Sequence, residues 1–294
     1  MERPAPLAPG VHLVHKPVGP SSHAVVEGLR SGKARMCHGG ALDPFAEGLL
    51  LVLVGEATRL FPYLHGVPKR YVAEVAWGAE TDNGDPAGEV VAHGDTADLT
   101  PAALDAALAP FRGWHEQVPP VTSNKRVEGE RAWVRAARGE AVALPPSRVL
   151  LSAGRWLRHD LPRRSALEID VAGGFYVRAL ARELGRATGA RAHLTALHRT
   201  AIGPWGDPGP GATRRIQGEA VLPWCPVRRL TVAERAELAV GATFPRGDLR
   251  APSFVLPPEY PTPPVVLAAE GRMVGLAEAR DGALGVTLVI ARGL

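Results

Sequence analysis

The longest uninterrupted apolar run in the chain is a stretch of leucines and valines at residues 49–54, which Gly55 ends. It is far shorter than the ~20 apolar residues that a membrane-spanning helix needs, so we expect a short buried element inside a domain. The loop before it, residues 37–48, is built largely from small and apolar residues and carries Asp43 followed by Pro44. A carboxylate that is carried towards a domain interior needs a cationic partner or a chemical function.

Composition sets broad limits on the kind of protein. A chain of 294 residues can bury a large core as one long domain or as a large and a small domain. The 34 basic residues are overwhelmingly arginine, which suits phosphate recognition, although a compositional bias of the source genome would give the same excess. Two cysteines, Cys37 and Cys225, exclude a disulfide framework and a cysteine-based metal site. With no signal-like N-terminal segment, we expect a soluble, cytoplasmic protein.

Periodicity predicts a mixed α+β fold. Alternating or apolar stretches predict strands at residues 11–17, 70–77, 89–91, 149–157 and 166–171. In the clearest of them, residues 70–77, one face is formed by Tyr71, Ala73, Val75 and Trp77. A helix is predicted after Ser21 or Ser22 and another after Thr100. The strongest follows Gly174 and has an apolar stripe formed by Val177, Leu180, Ala181 and Leu184.

The C-terminal part changes character. A loop rich in glycine and proline is predicted at residues 203–211, followed by a helix at residues 233–240. Short strands are predicted at residues 265–268, 273–277 and 286–290. We therefore expect a larger, catalytic domain at residues 1–230 and a small β-barrel at residues 231–294. The larger domain contains a basic, proline-interrupted insertion at about 117–146.

Common cofactor motifs are missing from the sequence. It contains no P-loop, no G-x-G-x-x-G fingerprint and no G-x-S-x-G nucleophile elbow. The histidine pairs His12/His15 and His193/His198 lack a carboxylate or cysteine at matching spacing, so metal ligation is not predicted. We expect a protein that works without metal, nucleotide or redox cofactor.

Single residues permit ordinary structural interpretations. Asp43 followed by Pro44 matches a helix N-cap with proline at the first helical position. Alternatively, Pro44 restricts Asp43 to an extended backbone that aims the carboxylate. Tyr71 taken alone is a core aromatic residue, and Arg178 taken alone is a solvated helix residue.

The order of several motifs resembles one known family. The motifs are residues 16–22 (KPVGPSS), 38–44 (HGGALDP), 69–71 (KRY), 81–85 (TDNGD), 174–178 (GFYVR), and 193–194 with 197–199 (HL, LHR). Together they resemble the successive motifs of the TruB family, the pseudouridine synthases that act on the T-loop of tRNA. The resemblance covers residues 11–202 and continues more weakly into the C-terminal part, which is similar to the PUA RNA-binding module.

The resemblance implies a fold and a reaction. The fold is a mixed, mainly antiparallel pseudouridine-synthase sheet with flanking helices, plus the small PUA-like barrel. The reaction is the isomerisation of uridine to pseudouridine at tRNA position 55, by base flipping and without a cofactor. Implied partners are the tRNA T-arm and no other protein or membrane, which suits a monomer.

Catalytic roles also follow from the resemblance. Asp43 corresponds to the family's nucleophile or base towards the sugar. Arg178 corresponds to the cation that keeps this carboxylate ionised, and Asp85 is expected to hold Arg178 from the other side. Tyr71 corresponds to the ring on which the flipped base stacks, and it is expected to help remove the C5 proton.

RNA contacts are implied by further matching positions. Tyr176 and Leu197 match residues that wall the pocket, and His38 matches a residue that fills the space left by the flipped base. The insertion at 117–146 resembles the family's mobile thumb, whose alternative interpretation is a solvated loop. The remaining expected RNA contacts are Lys69, Arg70, Lys125, Arg126 and Arg131.

The chain departs from the family pattern before the aspartate. Cys37 stands where the family has glycine, Gly39 where it has threonine, and His15 where the first motif has aspartate. These changes bear on loop conformation and RNA contacts, not on the carboxylate. Two alternatives stay open: an RNA-binding or tRNA-folding protein with little catalysis, and a guide-RNA-dependent synthase that needs partner proteins.

Overall fold

A computed structural model describes residues 6–123, 125–127, 129–140, 142–238, 243–280 and 282–294. For residues 126, 133, 136, 137 and 280 it describes the backbone alone. The described chain divides into two compact units. The first is drawn from residues 1–42, 48–67 and 203–294, and the second from residues 43–47 and 68–202. The predicted domain boundary at residues 230/231 stays a prediction.

The strands of the described residues are, in chain order, β1 Gly10–Lys16, β2 Met36–His38, β3 Glu47–Val54, β4 Lys69–Trp77, β5 Ala79–Thr81, β6 Val90–His93, β7 Gly113–Gln117, β8 Arg126–Val127, β9 Glu130–Arg131, β10 Ser147–Asp160, β11 Arg164–Val171, β12 Ala192–Ile202, β13 Trp205–Gly206, β14 Thr213–Ile216, β15 Val227–Arg229, β16 Thr243–Pro245, β17 Val265–Ala269, β18 Arg272–Arg280 and β19 Ala283–Val289.

The α-helices are α1 Ser22–Leu29, α2 Phe61–His65, α3 Pro101–Leu108, α4 Ala132–Ala137, α5 Val177–Ala187 and α6 Val232–Glu237, with 3-10 turns at Gly55–Leu60, Ala109–Phe111 and Gly218–Val221. The predicted caps are confirmed. The Ser21 side chain accepts the Ala24 N–H at the start of α1, and the Thr100 side chain accepts the Ala103 N–H at the start of α3. None of the helices in these residues has the length and apolar character needed to cross a lipid bilayer.

The second unit is built on an antiparallel sheet in the order β12-β4-β11-β10-β7. The predicted alternation of the central strand is confirmed, because Tyr71, Ala73, Val75 and Trp77 are all buried. Helix α5 packs against β12 and β4 through its predicted apolar stripe, which is buried throughout. This packing positions the first turn of α5, where the candidate site lies.

In the first unit, β3 pairs with β1 and with β2, and β1 also pairs with β14, all antiparallel. The apolar run at residues 49–54 forms most of β3, and each of its six side chains is buried. Helix α1 covers this sheet with Val26, which packs among Val14, Leu50 and Val52. The prediction of a short buried element is confirmed.

A separate sheet in the order β15-β17-β18-β19-β16 occupies the C-terminal part. The predicted C-terminal β-structure is confirmed as a sheet, in which no ladder of the described residues joins the end strands β15 and β16, and the small PUA-like barrel stays a prediction. Leu238, Phe244 and Leu267 lie in the core under one face of this sheet. The predicted helix at 233–240 is observed as α6, and residues 239–240 lie outside the described residues.

The insertion at 117–146 carries secondary structure that periodicity did not predict. Strands β8 and β9 pair as a short antiparallel ribbon, and helix α4 follows at once. Ala132, at the start of α4, is buried, so the helix has a packed side rather than standing free in solvent.

Candidate active site

Asp43 does not start a helix. Residues 44–45 form a turn in which the Ala46 N–H donates to the Asp43 carbonyl oxygen, and strand β3 begins at Glu47. The helix-cap interpretation of Asp43 and Pro44 is therefore wrong. The side chain of Asp43 is committed to a tertiary partner instead.

That partner is Arg178, the second residue of helix α5. Its Nε lies 2.8 Å from Asp43 Oδ2, and its Nη2 donates to Asp43 Oδ1 at 2.9 Å. The guanidinium thus grips both carboxylate oxygens through its planar fork, the strongest geometry for such a pair. The Arg178 side chain is 6% exposed and the Asp43 side chain 33% exposed. The cation is buried and the carboxylate is accessible.

The remaining edge of the guanidinium is held from two directions. Arg178 Nη1 donates to the Asn83 carbonyl oxygen at 2.8 Å and to Thr122 Oγ1 at 2.6 Å. Gly84, with φ of +75°, allows the Asn83 loop to come this close, because a Cβ at residue 84 would lie 3.2 Å from Arg178 Cβ. The buried charge is therefore fully hydrogen-bonded.

Asp85 does not take the place expected of it. Among the described residues, the polar contacts of the Arg178 guanidinium are to Asp43, Asn83 and Thr122 and not to Asp85. The Asp85 carboxylate accepts the Ala87 N–H at 2.8 Å, which closes a turn within its own loop. A side chain committed to its own turn shapes the loop that presents the Asn83 carbonyl.

Tyr71 is buried on strand β4 beside another cation. Arg199, directly opposite it on β12, donates from Nη1 to the Tyr71 hydroxyl at 3.4 Å, and its guanidinium carbon lies 6.0 Å from the ring centroid. Arg199 is itself buried. The sequence assigned no role to Arg199, although strand pairing makes it the neighbour of Tyr71.

Lys69, one of the expected RNA contacts, is buried. The residue is 6% exposed, because the alternation of β4 places it on the same inward face as Tyr71. Burial, with the nearby charge of Arg199, lowers the pKa of the Lys69 ammonium to about 7. The period of two extended by one step would have predicted this burial.

The two expected pocket walls lie in the same unit. Tyr176 immediately precedes helix α5, and burial raises the pKa of its phenol, with the charges of Arg178 and Asp43 acting on it as well. Tyr176 stands two residues before Arg178 in the chain, so its ring is attached next to the first turn of α5. Leu197 is buried on β12.

His38 lies in the first unit, half-buried on strand β2 and opposite Val52 of β3. Two of the three departures from the family pattern, Cys37 and Gly39, flank it. A Cβ at residue 39 would lie 3.0 Å from Leu51 Cβ, and the Gly39 N–H donates to the Leu51 carbonyl at 2.8 Å. Glycine at residue 39 therefore permits a close contact with strand β3. At the other flanking residue, Cys37, burial raises the pKa of the thiol.

The other expected RNA contacts are spread over the second unit. Arg70 faces outward from β4 and pairs with Asp170 at 2.8 Å. Lys125 and Arg131 are exposed in the insertion. The side chain of Arg126 lies outside the described residues.

The family resemblance implied the Asp43–Arg178 pair but not the Asn83 carbonyl and Thr122, which complete the hydrogen bonding of Arg178. The Asn83 carbonyl is a backbone group, which carries no side-chain signal. Thr122 follows two prolines in a segment without periodicity, and nothing in its surroundings marked it. Both groups lie far from Arg178 in the chain.

The arrangement presents one accessible carboxylate that a buried guanidinium orients at the start of helix α5. Such a group can act as a nucleophile or as a base towards a bound substrate. Comparison with known proteins identifies the family to which a chain with this site belongs. The family model described as TruB family pseudouridylate synthase (N terminal domain) matches residues 29–177, which include Asp43, Tyr71 and the start of α5.

The chain belongs to the TruB family of tRNA pseudouridine synthases. The tRNA pseudouridine synthase B of Synechococcus sp. (strain CC9311) is 38% identical over 270 residues, which cover 86% of this chain and 90% of that protein. The tRNA pseudouridine synthase B of Thermobifida fusca (strain YX) is 34% identical over 302 residues, covering 97% of this chain and 99% of that protein. This TruB-family chain is accordingly an enzyme, an isomerase.

Solved structures agree on the fold. A chain in "Crystal Structure of a Cbf5-Nop10-Gar1 Complex" gives a TM-score of 0.68 at 20% identity, covering 96% of this chain and 85% of that one. A chain in "Structure of H/ACA RNP bound to a substrate RNA containing 2'-deoxyuridine" gives 0.66 at 19% identity, covering 96% and 83%. The TruB-family chain therefore has a mixed α/β pseudouridine-synthase fold.

Proposed function

We propose that this enzyme converts the uridine at position 55, in the T-loop of tRNA, to pseudouridine. The observation that carries the proposal is the two-point pair between Arg178 and Asp43, in which the carboxylate is the accessible partner. Relatives at 34–38% identity over nearly the whole chain are named tRNA pseudouridine synthase B. Because tRNA is the proposed substrate, we expect the enzyme to act in the cytoplasm.

The chemistry fits a site of this composition. The N1–C1′ bond of the uridine breaks, the base turns, and C5 bonds to C1′, while a proton leaves C5 and N1 gains one. Bonds and electrons balance without an oxidant, a reductant or a cofactor. Asp43 acts as the nucleophile or base towards the sugar, and Arg178 keeps it ionised in a partly shielded site.

The substrate side of the site follows from the same residues. The target base leaves its stack and enters the pocket, where Tyr71 stacks on it and assists loss of the C5 proton. Tyr176 and Leu197 wall the pocket, and His38 fills the space that the base leaves in the RNA. Arg70, Lys125, Arg126 and Arg131 contact phosphates, which fixes the position of the T-arm.

Two regions extend the RNA contact. The insertion at 117–146 acts as a thumb that closes on the T-arm, and the C-terminal sheet acts as a PUA-like RNA-binding module. The enzyme works as a monomer without partner proteins. Activity on a bare T-stem-loop, with purified enzyme and nothing else, tests that independence.

The deciding experiment measures tritium release from T-arm RNA that carries uridine labelled at C5. Wild-type enzyme is expected to release tritium, and RNA with cytidine at position 55 is expected to release none. Asp43→Asn keeps the shape and one acceptor of the side chain, so RNA binding and folding should persist while turnover is lost. Wild-type enzyme that binds the RNA but releases no tritium would show that the proposed reaction is wrong.

A further inference from the structure

The start of the thumb is tied to helix α5 at three points. We call residues 117–123 the stalk, since they lead from the end of strand β7 into the insertion. Each tie is a hydrogen bond between the stalk and the α5 segment that begins at Tyr176. The third tie reaches the ion pair itself.

Two of the ties anchor the stalk. Gln117 is buried, and its Oε1 accepts the Tyr176 N–H at 2.8 Å, which serves the N-cap of a helix that has no side-chain cap of its own. The Val118 carbonyl accepts from Arg182 Nη2 at 3.0 Å. The stalk therefore follows the first turns of α5.

Thr122 makes the third tie. Its Oγ1 accepts from Arg178 Nη1 at 2.6 Å, and its carbonyl oxygen lies 3.5 Å from Arg178 Nη2. The same Nη2 donates to Asp43 Oδ1. Thr122 thus contacts the outer edge of the guanidinium whose other edge holds the carboxylate.

We propose that Thr122 is a positioning residue, which sets the orientation of the Arg178 guanidinium towards Asp43. A planar fork forms two parallel hydrogen bonds only when its plane coincides with that of the carboxylate. The Thr122 hydroxyl and the Asn83 carbonyl hold Nη1 from outside, so the fork cannot turn about its long axis. Removing the hydroxyl leaves Nη1 held by the Asn83 carbonyl alone.

Placement in the chain gives this contact a second consequence. Thr122 lies at the base of the thumb, so a movement of the stalk changes the hold on Arg178 and through it the presentation of Asp43. The inference rests on the proposed function for its catalytic meaning, because the thumb and the RNA belong to that proposal. The contact itself does not.

The test compares Thr122→Val with Thr122→Ser. Valine keeps the branched shape and removes the hydroxyl, whereas serine keeps the hydroxyl and removes the methyl. With saturating T-arm RNA, the single-turnover rate of Thr122→Val is expected to fall by about tenfold or more, the usual effect of losing a hydrogen bond to a charged group. Thr122→Ser is expected to stay within about threefold of wild type, and the Kd for RNA should be unchanged in both.

The pH profile separates positioning from packing. A carboxylate whose pairing with a cation is weakened takes up a proton at a higher pH. The fall in rate on the acid side of the pH profile should therefore occur at a higher pH in Thr122→Val than in wild type, and at the wild-type pH in Thr122→Ser. A wild-type rate in Thr122→Val overturns the inference. So does a raised Kd with an unchanged rate at saturation, or a serine variant that is as slow as the valine variant.

A measurement without RNA keeps this inference distinct from the proposed function. The Asp43 carboxyl can be titrated by carbon-13 NMR, with Asp43→Asn used to assign its signal. Its titration midpoint is expected to be higher in Thr122→Val than in wild type and Thr122→Ser, by about half a pH unit or more. Equal midpoints in the three proteins overturn the role of Thr122, even if the wild-type enzyme proves inactive on T-arm RNA.

Discussion

Two of the arginine–carboxylate pairs of helix α5 lie about two turns apart and expose opposite partners. In the Arg178–Asp43 pair the arginine side chain is 6% exposed and the carboxylate 33% exposed. In the Arg186–Glu80 pair the arginine is 47% exposed and the carboxylate 7% exposed. Both are two-point contacts, with distances of 2.8 and 2.9 Å in the first pair and 2.6 and 3.1 Å in the second.

The difference is the one expected between a structural carboxylate, Glu80, and the carboxylate that we propose to be catalytic, Asp43. Glu80 is shared between Arg186 and Arg191, whose Nη1 lies 3.2 Å away, and both arginines face water. Asp43 has the reverse setting, since its arginine is fixed by Thr122 and the Asn83 carbonyl. Fixing the cation in the protein leaves the anion oriented and open to a substrate, which is the condition for electrostatic preorganisation.

The largest expected effect is the difference in turnover rate between variants of the two carboxylates, Asp43 and Glu80. Asp43→Asn should lower the rate of tritium release by more than about a thousandfold, because the reacting group is lost. Glu80→Gln, the matched removal of charge from the carboxylate that pairs with Arg186 of the same helix, should stay within about threefold of wild type. A Glu80→Gln enzyme as slow as Asp43→Asn would break the comparison.

Gly185→Ala should give the largest loss of stability. A Cβ at residue 185 would lie 2.2 Å from the Ala192 backbone nitrogen and 2.5 Å from the Arg191 carbonyl carbon. Helix α5 and strand β12 must separate to accept it, which also displaces Arg191 from Glu80. We expect the free energy of unfolding to fall by about 3 kcal/mol in urea denaturation; an unchanged urea midpoint would show that the helix can shift at no cost.

Glu80→Gln should cost less, about 1–2 kcal/mol in the free energy of unfolding. The variant leaves two cations without their carboxylate, but both reach water and can be hydrated. Asp43→Asn should cost about 1 kcal/mol or less, because the amide oxygen can still accept from Arg178 and because the Asn83 carbonyl and Thr122 still hold the buried guanidinium. If Asp43→Asn proves the more destabilising of the two in urea denaturation, the assignment of structural and working pairs must be exchanged.

The stability difference at Glu80 should depend on pH. Burial acts to raise the pKa of Glu80, but hydrogen bonds and charge from Arg186 and then Arg191 hold it below its ordinary value. The stabilisation is therefore complete above the unfolded pKa of about 4.3 and is lost as the pH falls through the lower folded pKa. Wild type and Glu80→Gln should differ in urea midpoint at pH 7 and converge below about pH 4.

The smallest effect is the control for glycine in a helix. Gly28 lies in helix α1, is exposed, and would present a Cβ to nothing within 4 Å. Gly28→Ala should raise the free energy of unfolding by about 0.5 kcal/mol, since alanine loses less backbone entropy on folding. A loss of stability at Gly28 would mean that the cost at Gly185 cannot be assigned to the close contact with β12 alone.

The sequence alone determined the features that depend on neighbours in the chain. The alternation along β4 and the apolar stripe of α5 appear as predicted because side-chain direction follows the period of the local backbone. The Ser21 and Thr100 caps hold because a cap needs only the next few N–H groups. The same alternation, extended from Tyr71 back to residue 69, would have predicted that Lys69 is buried.

Only the tertiary structure decided which groups surround the carboxylate. Asp43 and Arg178 are 135 residues apart, and Arg178 and Thr122 are 56 residues apart. Local sequence left Asp43 open to a helix cap, and the family resemblance implied that Asp85 holds Arg178. In the fold, Thr122 and the Asn83 carbonyl hold Arg178 instead. Such contacts depend on how loops from distant segments meet at one helix end, and neither periodicity nor local propensity specifies that meeting.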